Sequence, residues 1–264
     1  MKKYAAMILT VGNEFCLEET CASLISQGVE YILFCCPRYY WDGTPVPPKK
    51  SQEVRAIAQK ISCKCRIVSP IPPRSKTGAI QEAMIRNLCL RQLSSAGYSD
   101  VLIVDGDEIW RPGTLETLDS YVFGFNSPVS VPSLSIIGLP GYPVVEGQEG
   151  LLVYVKSKGT KFVSGRSVDR PVSSCDFVPG VIHFTSTRRT MDETIDKHLK
   201  SCHYGDSDYD FDGWIKNVLP TIKPGVKDCH MFKPWQVWKE VRRFTQKEWE
   251  EIPPQLHQYL GAPT

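Results

Sequence analysis

The first hundred residues switch repeatedly between two hydrophobic patterns. Tyr4 to Val11 is a near-continuous apolar run, the pattern of a strand buried on both faces. Leu17, Cys21, Leu24 and Ile25 then recur at helical spacing, and Gly28 stands where a helix is commonly closed. Tyr31 to Cys36 is a second apolar run, followed by a proline- and aromatic-rich loop from Pro37 to Pro48. Val54, Ile57, Ala58 and Ile61 mark a second helix, and Arg66 to Val68 a short third strand. Ile80, Met84, Leu88 and Leu93 mark a third helix ending near Gly97, and Val101 to Val104 a fourth strand that runs directly into Asp105. This alternation predicts an α/β fold with a mostly parallel central sheet flanked by helices. In such sheets ligands bind beyond the carboxyl ends of the strands. Gly12-Asn13-Glu14 and Asp105-Gly106-Asp107-Glu108 stand at two of those ends and are expected to face one crevice.

The second half reads differently. Pro112 opens a short helix through Leu115 and Leu118, and strand-like stretches follow at Val129 to Ile137, Leu151 to Val155, Phe162 to Val168 and Val178 to Phe184. Thr190 and Glu193 match a capping box, which predicts a helix through Ile195, Leu199 and Cys202. Beyond Pro220 the chain is rich in tryptophan, proline and charge. With no internal repeat and no low-complexity linker, one domain is expected: residues 1–125 as one half, 126–264 as a second half with a C-terminal extension.

Composition narrows the classes. The 264 residues are 42% hydrophobic, enough for a sizeable core, and 31 basic against 29 acidic residues leave a formal charge of +2. That balance gives no electrostatic reason to expect nucleic acid or an anionic membrane as partner. The apolar start Tyr4 to Leu9 meets Gly12-Asn13-Glu14 too soon for a signal peptide, and no apolar run approaches the length of a membrane span. A cytoplasmic protein is the expectation. The ten cysteines include Cys35-Cys36 and Cys63-Lys64-Cys65, which lack the two-residue spacer of zinc knuckles, so reduced thiols are expected.

Asp105-Gly106-Asp107 carries the candidate chemistry. Two carboxylates one residue apart can share a hard divalent cation if the backbone turns between them, and glycine permits the turn. Such a cation bridges the two phosphates of a nucleotide-sugar and offsets charge on the leaving diphosphate. The same spacing recurs at Asp206, Asp208, Asp210 and Asp212, but in a polar stretch. Asp105 instead follows Val101-Leu102-Ile103-Val104, where carboxylates need a cation or donors. Asp206 to Gly213 does not read as a calcium loop, because Leu219 stands where an EF-hand needs glutamate.

Ile8-Leu9-Thr10-Val11-Gly12-Asn13-Glu14, Met84-Ile85-Arg86-Asn87 and Ile103-Val104-Asp105-Gly106-Asp107-Glu108 together resemble the nucleotide-sugar glycosyltransferases of the GT-A fold. The inverting family two and its relatives carry a strand ending in Asn-Glu, a helix with Ala-Arg-Asn and a strand ending in Asp-Ala-Asp-Glu, in this order. The match covers roughly residues 4 to 125. It implies a GT-A-like, Rossmann-like sheet, with residues 1–125 binding the donor and 126–264 forming the acceptor side. Thr10, Asn13 and Glu14 would line the nucleoside pocket, and Arg86 would contact the donor near its diphosphate. Asp107 would ligate Mn²⁺ or Mg²⁺, with Asp105 holding the ribose or a metal-bound water. The family's acidic loop after its second strand is matched here only loosely, by Asp42.

In the second half, the resemblance to enzymes that take a further metal ligand from this region makes His183 and His203 candidates; neutral imidazole completes a carboxylate site for Mn²⁺. Lys76, Arg188, Arg189 and Lys197 are candidates for the diphosphate. An inverting transfer needs a general base, for which Asp176, beside the His183 strand, and Asp169 are candidates, while Glu146 and Glu149 fall in a glycine-rich stretch. Trp214, Trp235, Trp238 and Trp249 either cover the acceptor or dock the tail. The expected function is therefore metal-dependent transfer of a hexosyl or pentosyl group from a nucleotide-diphosphate sugar to a glycan or other hydroxyl acceptor. The alternatives are a sugar-nucleotide nucleotidyltransferase, which commonly has a glycine-rich basic loop that Gly12-Asn13-Glu14 lacks, and a non-catalytic sugar- or nucleotide-binding protein. Retention, oligomeric state and acceptor stay open.

Overall fold

The computed structural model describes residues 2–12, 14–72, 76–122, 127–139, 142–185, 187–203, 210–227 and 241–261. Strands β1 (Tyr4–Leu9), β2 (Tyr31–Cys35), β3 (Lys64–Val68) and β4 (Asp100–Asp105) alternate with helices α1 (Leu17–Ile25), α2 (Pro48–Lys60) and α3 (Gly78–Ser95). After β4 come β5 (Glu108–Trp110), α4 (Thr114–Tyr121), the long strands β6 (Val129–Leu139) and β7 (Tyr142–Lys156), and short strands β8 (Phe162–Ser164), β9 (Ser167–Val168), β10 (Ser173–Ser174) and β11 (Val181–His183). Helix α5 (Met191–Leu199), the turn α6 (Phe211–Gly213) that continues as irregular helix to Thr221, and helices α7 (Gln246–Glu250) and α8 (Pro254–Leu260) complete the described chain.

A curled central sheet runs β3-β2-β1-β4-β7-β6-β11-β5, with β10 also on β6. The β3-β2-β1-β4 half is wholly parallel, as a sequence of crossover helices requires. Beyond β4 the sheet becomes mixed, because the β6–β7 hairpin and the short β5 enter antiparallel. This is an α/β sheet, parallel in its first half and mixed beyond, flanked by helices.

Period-two burial explains the layers. Ala6 and Ile8 of β1, Phe34 of β2 and Val104 of β4 face one side, where Leu17, Cys21 and Leu24 of α1, Val54 of α2 and Leu118 of α4 pack. Ala5, Met7, Leu33 and Ile103 face the other, against Ala83, Cys89, Leu90 and Leu93 of α3. Each such aliphatic side chain removed from water contributes roughly 1.5–3 kcal/mol. The buried stripe of α3 is Ala79, Ala83, Arg86, Cys89 and Leu93, and not the expected Ile80 and Met84, which are exposed. Sequence spacing alone gives two overlapping stripes there, and the arginine settles which faces inward.

Three other readings are corrected. Phe162 to Val168 is not one strand but the hairpin β8–β9, turned at Gly165, whose φ is +50°. Glu146 and Glu149 lie within β7, opposite Ser135 and Ser133, and not in a loop. The Thr190 helix ends at Leu199, short of Cys202, and Glu193 accepts from the Arg189 backbone N–H while its own N–H bonds the Thr190 hydroxyl. Trp249 packs with Phe15, Ile136, Phe184, Ile252 and Leu256, so α7 and α8 dock against the loops after β1 and β11. Trp214 is likewise buried, with Phe211 and Leu219, while Trp235 and Trp238 lie outside the described residues. All nine described cysteines are free thiols. No helix among the described residues is long and apolar enough to cross a membrane.

Candidate active site

The register of three strand pairs assembles the site. Leu9 of β1 is paired with Asp105 of β4, so the loops that follow them lie side by side. Gly106 donates its N–H to the Leu9 carbonyl at 3.2 Å, and Thr20 of α1 bonds the Gly106 carbonyl at 3.1 Å. Glu108 opens β5 directly opposite His183, the last residue of β11, and the Phe184 N–H bonds the Asp107 carbonyl. Residues 105–108 thus face the end of β11.

Gly106 does not adopt the left-handed backbone expected of a glycine-dependent turn. What its missing side chain supplies is room: a Cβ there would lie 3.1 Å from the Glu14 side chain. Glu14 accepts from the Thr10 hydroxyl and from the Gly12 N–H at 3.2 Å, so the loop after β1 is closed on itself at the crevice mouth, beside Gly106. Burial, and then the neighbouring Asp107, push its carboxyl above the usual glutamate range. Thr10 is buried beneath it, and Asn13 lies outside the described residues.

Arginines and lysines converge on the acidic run from three elements. Arg86 of α3, 1% exposed, bonds Asp105 Oδ1 at 2.7 Å and Glu82 at 2.9 Å, and its ring neighbour is Phe162. Arg166, at the tip of the β8–β9 hairpin, bridges Asp105 Oδ2 at 3.3 Å, both Glu108 oxygens and the Ile103 carbonyl at 2.6 Å. Arg188 and Lys197 both reach Asp107 Oδ2, at 2.8 and 2.7 Å, and His183 Nε2 lies 3.5 Å from Oδ1. Burial alone would raise the Asp107 carboxyl, but Lys197, His183 and Arg188 more than offset it and hold it well below the usual range. Asp105 is lowered in the same way, burial being outweighed by Arg166 and Arg86. Glu108 has no exposed side-chain surface, and its burial outweighs Arg166, so its carboxyl is raised. Burial, and then Arg188, lower the Lys197 ammonium from its ordinary range against the pull of Asp107.

One ligand atom each from Asp105, Glu108 and His183 lie within 4.8 Å of one another. Two carboxylates and an imidazole form a mixed oxygen–nitrogen set, so the residues present fit a divalent cation such as Mn²⁺. The set shares Asp105 and His183 with the sequence reading and differs from it at Asp107, Glu108 and His203. Asp107, expected as a direct ligand, has its carboxylate taken up by Arg188 and Lys197, and Glu108, quoted in the motif but given no role, stands in the converging group. Arg166 went unassigned as well; Gly165-Arg166, a turn inside an apparent strand, was the available signal.

The remaining candidates are dispersed. Asp42 accepts from Lys200 at 2.9 Å and from Thr44, tying the loop after β2 to the end of α5; these bonds outweigh its burial and lower its carboxyl. Lys76 is exposed just before α3, where its carbonyl accepts from Gln81. His203 stands past α5 and is not in the converging group. The base candidates Asp169 and Asp176 are both exposed and away from it. Ser174 is paired with Ser130 and His183 with Ser135 along the same strand β6, which puts Ser174 about 17 Å back from His183 at ~3.3 Å per residue, with Asp176 two residues further on. Asp169 accepts from Lys161 at the base of the hairpin whose tip carries Arg166. Proximity in sequence to β11 misplaced Asp176, because β11 is entered from the opposite end of the sheet.

No protein-family model matches the chain, and no curated protein matches it in sequence. Among solved structures it is similar to 4-diphosphocytidyl-2C-methyl-D-erythritol synthase from Anaerococcus prevotii, with 14% identity over 74% of this chain and 96% of that one and a TM-score of 0.46. It is similar to TarS from S. aureus at 15% identity and TM-score 0.40, covering 75% of this chain but only 40% of TarS. The inositol-1-phosphate CTP transferase from T. maritima is similar at 12% identity over 78% of this chain and 98% of that one, with a TM-score of 0.40.

Proposed function

We propose that the protein is a divalent-metal-dependent transferase acting on a nucleotide-sugar, and specifically a glycosyltransferase with residues 1–125 on the donor side and 126–264 on the acceptor side. The observation that carries this reading is the convergence of Asp105, Glu108 and His183 at the carboxyl ends of β4 and β11, within a ring of buried cationic side chains. A site for a neutral metabolite would not need that density of charge. A bound cation supplies charge neutralisation at the diphosphate of the donor. Arg86 fixes Asp105, and Arg188 with Lys197 fixes Asp107, so that the acidic run is held rigid at the strand end. Thr10 and Glu14 close the neighbouring loop, where the resemblance places the nucleoside. Inversion requires a carboxylate base; the sequence candidates Asp169 and Asp176 are both exposed side chains.

The test is thermal stability against nucleoside diphosphates, nucleoside triphosphates and nucleotide-sugars, each with and without Mn²⁺, in wild type and Glu108→Gln. Ligand at 100 times its dissociation constant adds about 2.7 kcal/mol, a readily measured shift. A shift for one diphosphate and its sugar conjugate that needs both Mn²⁺ and Glu108 supports glycosyl transfer. A shift confined to a triphosphate moves the reading to nucleotidyl transfer, and no shift with any nucleotide sinks both.

A further inference from the structure

Arg166 has no place in that reading, yet it makes the most direct contacts with two of the three converging ligands. Its Nη1 bonds Glu108 Oε1 and lies 3.3 Å from Asp105 Oδ2, and its Nη2 bonds Glu108 Oε2 at 3.3 Å. These are oxygens that a shared cation would need. A guanidinium and a divalent ion cannot both sit between the same two carboxylates, since each requires the same lone pairs and the two repel.

The arm that carries Arg166 is separate from the main sheet. It is the two-stranded β8–β9 hairpin, with pairing only at Phe162–Val168 and Ser164–Ser167, and it rests on α3 through the Gly165 N–H to the Ala79 carbonyl and the Asn87–Phe162 bonds. The Arg166 side chain keeps some exposure, 15%, where Arg86 and Arg188 have 1%. Its Nη2 is also held by the Ile103 carbonyl at 2.6 Å, while its Nε donor is buried with no acceptor. Arg86 and Arg188, by contrast, leave Asp105 Oδ2 and Glu108 free to be taken by another cation.

We propose that Arg166 is a built-in counter-cation that occupies the place of the divalent ion between Asp105 and Glu108, so that metal binding is a displacement of this side chain. The inference rests on the cation reading above. It makes the hairpin a determinant of metal affinity: removal of the charge strengthens binding, where removal of a structural support weakens it.

The experiment is a Mn²⁺ titration followed by the electron paramagnetic resonance signal of free Mn²⁺, with no nucleotide, on wild type, Arg166→Ala, Arg166→Gln and Arg166→Lys, with Glu108→Gln as the ligand control. Folding is checked by circular dichroism, and Arg166→Gln, which keeps donors but no charge, decides if the alanine variant does not fold. The expected result is Mn²⁺ affinity raised about tenfold or more in the uncharged variants, the size of relieving one close like-charge contact, with Arg166→Lys near wild type. Equal or weaker binding in the uncharged variants, with wild type binding through Glu108, overturns the displacement and leaves the cation site standing. Absence of Mn²⁺ binding in every variant overturns both.

Discussion

Arg188 meets Asp107 across 81 residues of sequence, Nη2 to Oδ2 at 2.8 Å, with side chains 1% and 5% exposed. Lys197 shares the same oxygen at 2.7 Å. A carboxylate gripped by two cations at such depth is a structural keystone between β4 and the segment that leads from β11 to α5. Removing one partner of a buried pair leaves the other charge uncompensated, which costs about 3–5 kcal/mol. Asp107→Asn is therefore expected to lower unfolding free energy by about that amount in urea denaturation. Asp105→Asn, at a carboxylate 28% exposed, is expected to cost less. Equal losses in the two variants would contradict the keystone role.

The cation site gives a second prediction, in affinity. Glu108→Gln and His183→Ala are each expected to weaken Mn²⁺ binding about tenfold or more, ~1.4 kcal/mol, as read by calorimetric titration. Asp169→Asn and Asp176→Asn are expected to leave it unchanged, because both carboxylates lie elsewhere in the fold. Loss of Mn²⁺ affinity in Asp176→Asn would require a different arrangement of the β10–β11 segment.

The parts of this site that the sequence revealed are those written in local pattern. Asp105 and Asp107 stand out because they end an apolar run, whereas Arg86 was marked only by the resemblance, since the spacing pointed to Ile80 and Met84 as the buried stripe. The strands β1, β2 and β4 were legible for the same reason as the two aspartates, each being an apolar run buried on both faces. Contacts made at long range left no such trace. Arg166 reaches Asp105 from a hairpin tip 61 residues away, and nothing in the run from Phe162 to Val168 distinguishes a bent arm from a straight strand except one glycine. Glu108 was hidden by adjacency: its role comes from facing His183, a pairing that only the β5–β11 register creates. Asp169 and Asp176 are exposed side chains, and distance along the chain says nothing about which end of a strand is entered first.

Acid should weaken the fold in a defined way. Asp105 and Asp107 have folded-state values below the ordinary ~3.9 of an aspartate. The stability they contribute is fully present above that value and is lost as pH falls through the lowered folded values. Unfolding free energy measured from pH 6 down to pH 2 is expected to fall below about pH 4 in wild type. The fall should be shallower in Asp107→Asn. Glu14 works with the opposite sign, since burial raises its carboxyl: its cost grows as pH rises from the ordinary ~4.3 through the raised value. Glu14→Gln is therefore expected to gain stability relative to wild type at pH 7 but not at pH 4.

Two glycines in the candidate site separate backbone demand from side-chain space. Gly12 has φ of +79°, and a Cβ there would overlap the Lys50 carbonyl of α2. An L-residue pays roughly 1–2 kcal/mol for the left-handed backbone alone, and the Lys50 backbone cannot move aside cheaply. Gly106 has ordinary backbone, and the nearest atoms its added Cβ would meet are those of the Glu14 side chain at 3.1 Å. The resembling glycosyltransferases carry alanine between their two aspartates, which is compatible with a position that excludes nothing but a neighbour's side chain. Gly106→Ala is expected to cost about 1 kcal/mol or less, within the range of mild overpacking, and Gly12→Ala distinctly more. The decisive comparison is the double-mutant cycle with Glu14→Ala. In that background the Gly106→Ala cost is expected to vanish, while the Gly12→Ala cost persists because Lys50 remains. If Gly106→Ala stays equally costly without Glu14, then the backbone at Gly106, and not the room it leaves, is what the acidic turn depends on.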